Sequence, residues 1–171
     1  MDSLREALNF ISNFVPQSST SGQIIYPLLN SGLEYEEIEQ QVSVLPFKLA
    51  EEVYELYQWS NGAFLGSLPY PENNDSGKDY ERIHTILLLE QAIDIARSWG
   101  NGSFPLFVEE SEYLCFTVGE QEQKRTAPIF CSNESFHPQT ARFESLTCMM
   151  ICLVEAVNYQ SNLLKERGYE Q

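Results

Sequence analysis

The sequence predicts an α+β fold, a mainly antiparallel sheet of about four to six strands with helices packed on one side. Three observations carry this expectation. Residues 104–108, 113–118 and 127–131 are short runs rich in β-branched and aromatic side chains, joined by connections too short for a helical crossover. Amphipathic stretches with helical spacing precede and interrupt these runs. After Ser145, a capping residue, Leu146, Met149, Met150, Leu153, Ala156 and Val157 continue a helix whose first turns are apolar nearly all round, so it should lie deep against the sheet.

The elements follow in order. Ser3 and Glu6 have capping-box spacing, and Leu4, Ala7, Leu8, Ile11 and then Phe14 or Val15 recur at helical intervals, giving a first helix to about Pro16. Residues 17–23, QSSTSGQ, have the composition of a flexible joint, and residues 24–29 form a weak apolar patch. We expect residues 1–30 to be an N-terminal helix and loop extension, and residues 31–171 to be the domain proper. Ser31 and Glu34 make a second capping box, with Tyr35, Ile38, Val42 and Leu45 on the inner side of a short helix and glutamates outside.

Residues 45–62, LPFKLAEEVYELYQWSNG, are the most sharply punctuated segment. Pro46 presets φ where a helix can begin, and Asn61 and Gly62 supply the left-handed conformation that ends it. Leu49, Val53, Leu56 and Tyr57 form a core stripe, while Lys48, Glu51, Glu52, Glu55 and Gln58 collect on a face for water. Trp59 sits at the edge of the stripe, where its indole N–H needs a partner. We read Pro46, Leu49, Val53, Leu56, Trp59, Asn61 and Gly62, with Trp99 further on, as a structural hub.

Beyond Gly62, residues 63–65 suggest a short strand, and residues 66–82 are an irregular stretch dense in turn formers. Residues 83–88 have strand character, residues 89–99 turn helical and end at Trp99, and Gly100-Asn101-Gly102 stops the helix. Residues 141–144 suggest an edge strand.

The formal charge of −15, from 25 acidic and 10 basic residues, disfavours direct contact with nucleic-acid phosphates or anionic lipid and favours a basic protein partner. No stretch reaches the length of a membrane span and no signal sequence opens the chain, so a cytoplasmic location is expected. Cys115, Cys131, Cys148 and Cys152 mostly sit inside apolar runs and read as reduced, buried thiols. No cofactor is expected: Gly100 and Gly102 lack the third glycine and the strand of a dinucleotide loop, and no phosphate-binding loop, zinc helix or nucleophile elbow occurs. Cys131 and His137 lack a third group that would make them a nucleophile and base. Cys148 and Cys152, one helical turn apart, read as core packing, and His84 as a strand histidine, so no catalytic or metal residue is assigned.

Glutamates 34, 36, 37 and 39, and 51, 52 and 55, read as solvated helix faces. The candidates for partner binding are loop residues: Tyr70, Asp75, Asp79 and Tyr80 in the long irregular stretch, and Glu109, Glu110 and Glu112 between two strands. Tyrosines with acidic neighbours suit a polar interface, because rings bury area at small entropy cost and carboxylates draw in Lys or Arg.

The order of a Glu-rich helix with Ile38, LPFKLAEEVYELYQWSNG, a strand and helix ending in Trp99, FPLFVEESEYLCFTV, APIFCSN and a closing FESLTCMMICLVEAV resembles the SUKH superfamily over residues 31–157. That superfamily includes the Smi/Knr-type domain of fungal cell-wall regulators and many bacterial proteins. The resemblance implies an α+β, non-enzymatic protein-binding domain. In bacteria similar proteins are often immunity proteins that bind and block toxins, many of them nucleases; in fungi the domain serves as a signalling scaffold. Three readings stand open: an immunity-type inhibitor, a regulatory scaffold for endogenous partners and, least favoured, a hydrolase or metal protein built on the Cys and His residues.

Overall fold

The computed structural model describes residues 3–14, 28–69, 81–109, 113–132 and 140–166. Among these, helices α1 (Leu4–Phe14), α2 (Tyr35–Val42), α3 (Glu51–Trp59), α4 (Leu89–Trp99) and α5 (Leu146–Glu166) accompany strands β1 (Leu28–Leu29), β2 (Ala63–Pro69), β3 (Glu81–Ile86), β4 (Ser103–Glu109), β5 (Tyr113–Val118) and β6 (Ile129–Ser132). The strands form one open sheet in chain order, each antiparallel to the next, and the helices pack on one side of it, so the class is α+β. No helix among the described residues is long and apolar enough to cross a membrane.

Alternation along the strands decides what the core receives. Phe104, Thr117 and Ile129 lie opposite one another in register and are buried, as are Phe107, Cys115 and Cys131 in the next row. The register shifts between Pro105 and Phe107, and the extra residue keeps Phe104 and Phe107 on the same face. The alternate row, Pro105, Phe116 and Phe130, holds a stack of Phe116 on Phe130 at 5.6 Å, and Trp99 meets Phe116 edge-on at 5.9 Å. From the helical side, Leu4, Ala7, Leu8 and Ile11 of α1 enter the same core, against α3 and α5.

The elements differ from the spacing-based expectation at several points. α2 is capped at Glu34, not Ser31, and Glu37 accepts the Glu34 N–H at 2.9 Å. Tyr35, expected inside, is 43% exposed. β2 runs through Gly66 to Pro69 and β3 begins at Glu81, so both ends of the expected irregular stretch are strand, because each finds a partner in the other. Residues 141–144 make an isolated bridge, Ile129 to Phe143, in place of a strand.

The hub segment needs two corrections. α3 starts at Glu51, five residues after Pro46, because tertiary pairing claims the chain in between: Lys48 and Glu120 exchange both backbone hydrogen bonds, at 2.7 and 3.0 Å. The helix ends with Ser60 extended rather than left-handed, and Gly62, at φ 86°, turns the chain into β2. Pro46 itself is exposed, while Leu49, Val53 and Leu56 are buried as expected. Trp59 donates its indole N–H to Asn9 Oδ1 of α1 at 2.8 Å. Asn61 receives the Leu89 N–H on its side-chain oxygen at 2.9 Å, satisfying a first-turn donor of α4.

Candidate protein-interaction surface

Most loop candidates fall outside the described residues: Tyr70, Asp75, Asp79, Tyr80, Glu110 and Glu112 all do, and so does His137. Glu109 closes β4, in register with His84 on one side and Tyr113 on the other. Cys131 is removed from nucleophile chemistry by a disulfide with Cys115, which corrects the expectation of four reduced thiols. Antiparallel register sets the two residues opposite each other on β5 and β6, with Cα atoms 4.2 Å apart. Cys148 and Cys152 remain free and only half-buried.

What the structure does assemble is a corner where α2 meets α3. Glu34, Glu36 and Glu37 are exposed along α2, and Glu51 and Glu55 along α3. Between them Tyr35 lies over Tyr54, ring centroids 5.0 Å apart, with Tyr54 2% exposed beneath. The Tyr54 hydroxyl donates to Glu39 Oε2 at 2.6 Å, and Lys48 Nζ stands 3.8 Å from Glu39 Oε1. Burial first, and then this hydrogen bond and the charge of Glu39, push the Tyr54 phenol up, so it stays a neutral donor and holds the carboxylate in place.

Lys48 joins this corner to a shallow groove. Its backbone pairing with Glu120 sets Pro46 and Phe47 against Val118, Gly119, Glu120 and Gln121, enclosing about 360 Å³. A Cβ on Gly119 would run into the Phe47 ring, so only glycine lets that ring form the wall. Glu120 is paired with Lys124 at 2.6 Å, four residues further along the chain. The arrangement therefore offers an exposed aromatic ring, anchored carboxylates and a groove of mixed polarity, and Val44 is exposed as well.

One glutamate does not belong to that surface. Glu52, expected in the solvated face, is 4% exposed and accepts the N–H groups of Leu146 and Thr147 at 3.2 and 2.9 Å. It thus caps α5 from α3, where the helix dipole favours a negative charge. A signal for this was present, since Glu52 stands three residues after Leu49 and four before Leu56, inside the apolar stripe. Tyr57 in the same stripe is fully buried; burial raises its phenol, and its hydroxyl has no partner among the described residues.

No group of three or more His, Cys, Asp or Glu is placed to hold a metal among the described residues. Comparison with known proteins finds no family model that matches the chain and no matching curated relative.

Proposed function

We propose that this chain is a non-enzymatic protein-binding domain whose acidic corner receives a basic partner, and that it serves as an immunity-type inhibitor of a toxin, possessing the SUKH-like character its residue order suggests. The observation that carries this reading is the exposed Tyr35 ring stacked on Tyr54 beside Glu39, in a chain of charge −15. A rigid ring at the centre of an interface contributes much of its affinity, and surrounding carboxylates steer a basic partner and exclude an acidic one. A nuclease toxin is such a partner, since it must itself be basic enough to approach nucleic acid.

Co-expression with the product of the adjacent gene tests the reading. Rescue of growth from that product's toxicity is the expected result, with association between the purified proteins slowing as salt rises. A non-toxic partner bound with the same salt response would turn the reading toward a regulatory scaffold. Absence of both rescue and binding would end it.

A further inference from the structure

The chain's four cysteines divide into the Cys115–Cys131 disulfide and two free thiols, Cys148 and Cys152, one turn apart on α5. The buried side of α5 is made by Leu146, Met149, Met150, Leu153, Val154 and Val157. Thr147, Cys148, Ile151 and Cys152 occupy the adjoining flank and are half-buried. The thiols therefore sit at the boundary of core and solvent, within reach from outside yet beside the apolar Ile151. They also touch: a hydrogen bond links the two sulfur groups.

We infer that Cys148 and Cys152 form a two-thiolate site for a soft monovalent metal ion, Cu(I) being the species that fits. Residues at i and i+4 project from the same side of a helix with Cβ atoms about 5–6 Å apart, which leaves the two sulfurs within reach of one ion. Thiolate is the ligand that selects soft ions. Ligand number then chooses among them. A structural zinc ion wants four donors and hard ions want a shell of oxygens, whereas this pair supplies two sulfurs. An ion content with two sulfurs is the one this pair satisfies.

Binding converts M⁺ and two R–SH into [M(SR)₂]⁻ and two H⁺: both S–H bonds break, two S–M bonds form, the protons pass to solvent and no atom changes oxidation state. The second pair of cysteines does not compete, because its sulfurs are bonded to each other and buried.

The test is an anaerobic titration of the full chain with Cu(I), held reduced by ascorbate, in competition with a chromogenic Cu(I) chelator. The wild-type chain should withhold one equivalent from the chelator. Cys148→Ala and Cys152→Ala should each lower that affinity at least about a hundredfold, since loss of groups that only support a ligand already costs up to about that much. Zn(II) in a parallel titration should not be retained. Should an alanine variant fail to fold, alkylation of the two free thiols in the folded native protein replaces it, and copper uptake should disappear. The assignment is overturned if no equivalent is withheld, if the equivalent survives alkylation or the double substitution, or if zinc is held as tightly as copper.

Discussion

Glu52 and Glu39 are the same residue type on two sides of one helical corner, and their surroundings give them opposite work. Glu52 is buried, with both oxygens occupied by N–H groups of α5. Glu39 is half-exposed, with one oxygen on the Tyr54 hydroxyl and the other facing Lys48 across 3.8 Å. Removing the first would leave two backbone donors of α5 without an acceptor, which is costly; removing the second returns Lys48 to water and leaves only the Tyr54 hydroxyl to find another acceptor, which costs less. The seam of α3, from Glu52 round to Gly62, is thus where the fold is held, and the corner is where carboxylates lie toward solvent.

The seam should break hardest at its far end. Gly62 has φ 86°, and an added Cβ would lie 2.8 Å from Leu88 Cδ2. Gly62→Val therefore combines backbone strain with overpacking and should cost about 3 kcal/mol or more, seen as a large fall in the urea midpoint. Normal stability with selective loss of partner binding would contradict the structural role. Glu52→Ala comes next, at about 2 kcal/mol by the same measurement, whereas Glu51→Ala and Glu55→Ala should stay within about 0.5 kcal/mol. Equal effects at the three positions would erase the distinction between seam and surface.

The smallest change in stability belongs to the corner. Tyr35→Ala should lower stability by no more than about 1 kcal/mol, the worth of one exposed aromatic stack. Its effect on a partner's affinity should be the larger one, at least about tenfold by titration calorimetry, as expected for a central interface tyrosine. Unchanged affinity would move recognition away from this surface.

Much of this was legible in advance. The helical spacing of Leu4, Ala7, Leu8 and Ile11, and of Leu89, Ala92, Ile93 and Ala96, corresponds to buried faces of α1 and α4, and Gly100 ends α4 at φ 62°. The runs that became β4, β5 and β6 were placed to within a residue or two, because alternation and short connections are local properties. The apolar stripe of residues 45–62 is legible in the sequence, whereas the start of the helix is not. Pro46 permits a helix, but the backbone of Lys48 is claimed by Glu120, more than 70 residues away.

The surface was the harder half. Tyr35 has the spacing of a core residue, and only the placement of Tyr54 under it turns it outward. The groove joins Pro46 and Phe47 to Val118 through Gln121, and Glu52 meets residues 146 and 147; no local pattern announces either encounter.

Sequence alone determined the class of fold, the acidic character and the positions where the backbone must bend, since each depends on residue type and near-neighbour spacing. Tertiary structure decided which cysteines pair, which glutamate is buried and which tyrosine is left exposed. Those outcomes depend on strand register and helix packing, and side chains far apart in the chain acquire their environment only when the sheet and helices close on one another.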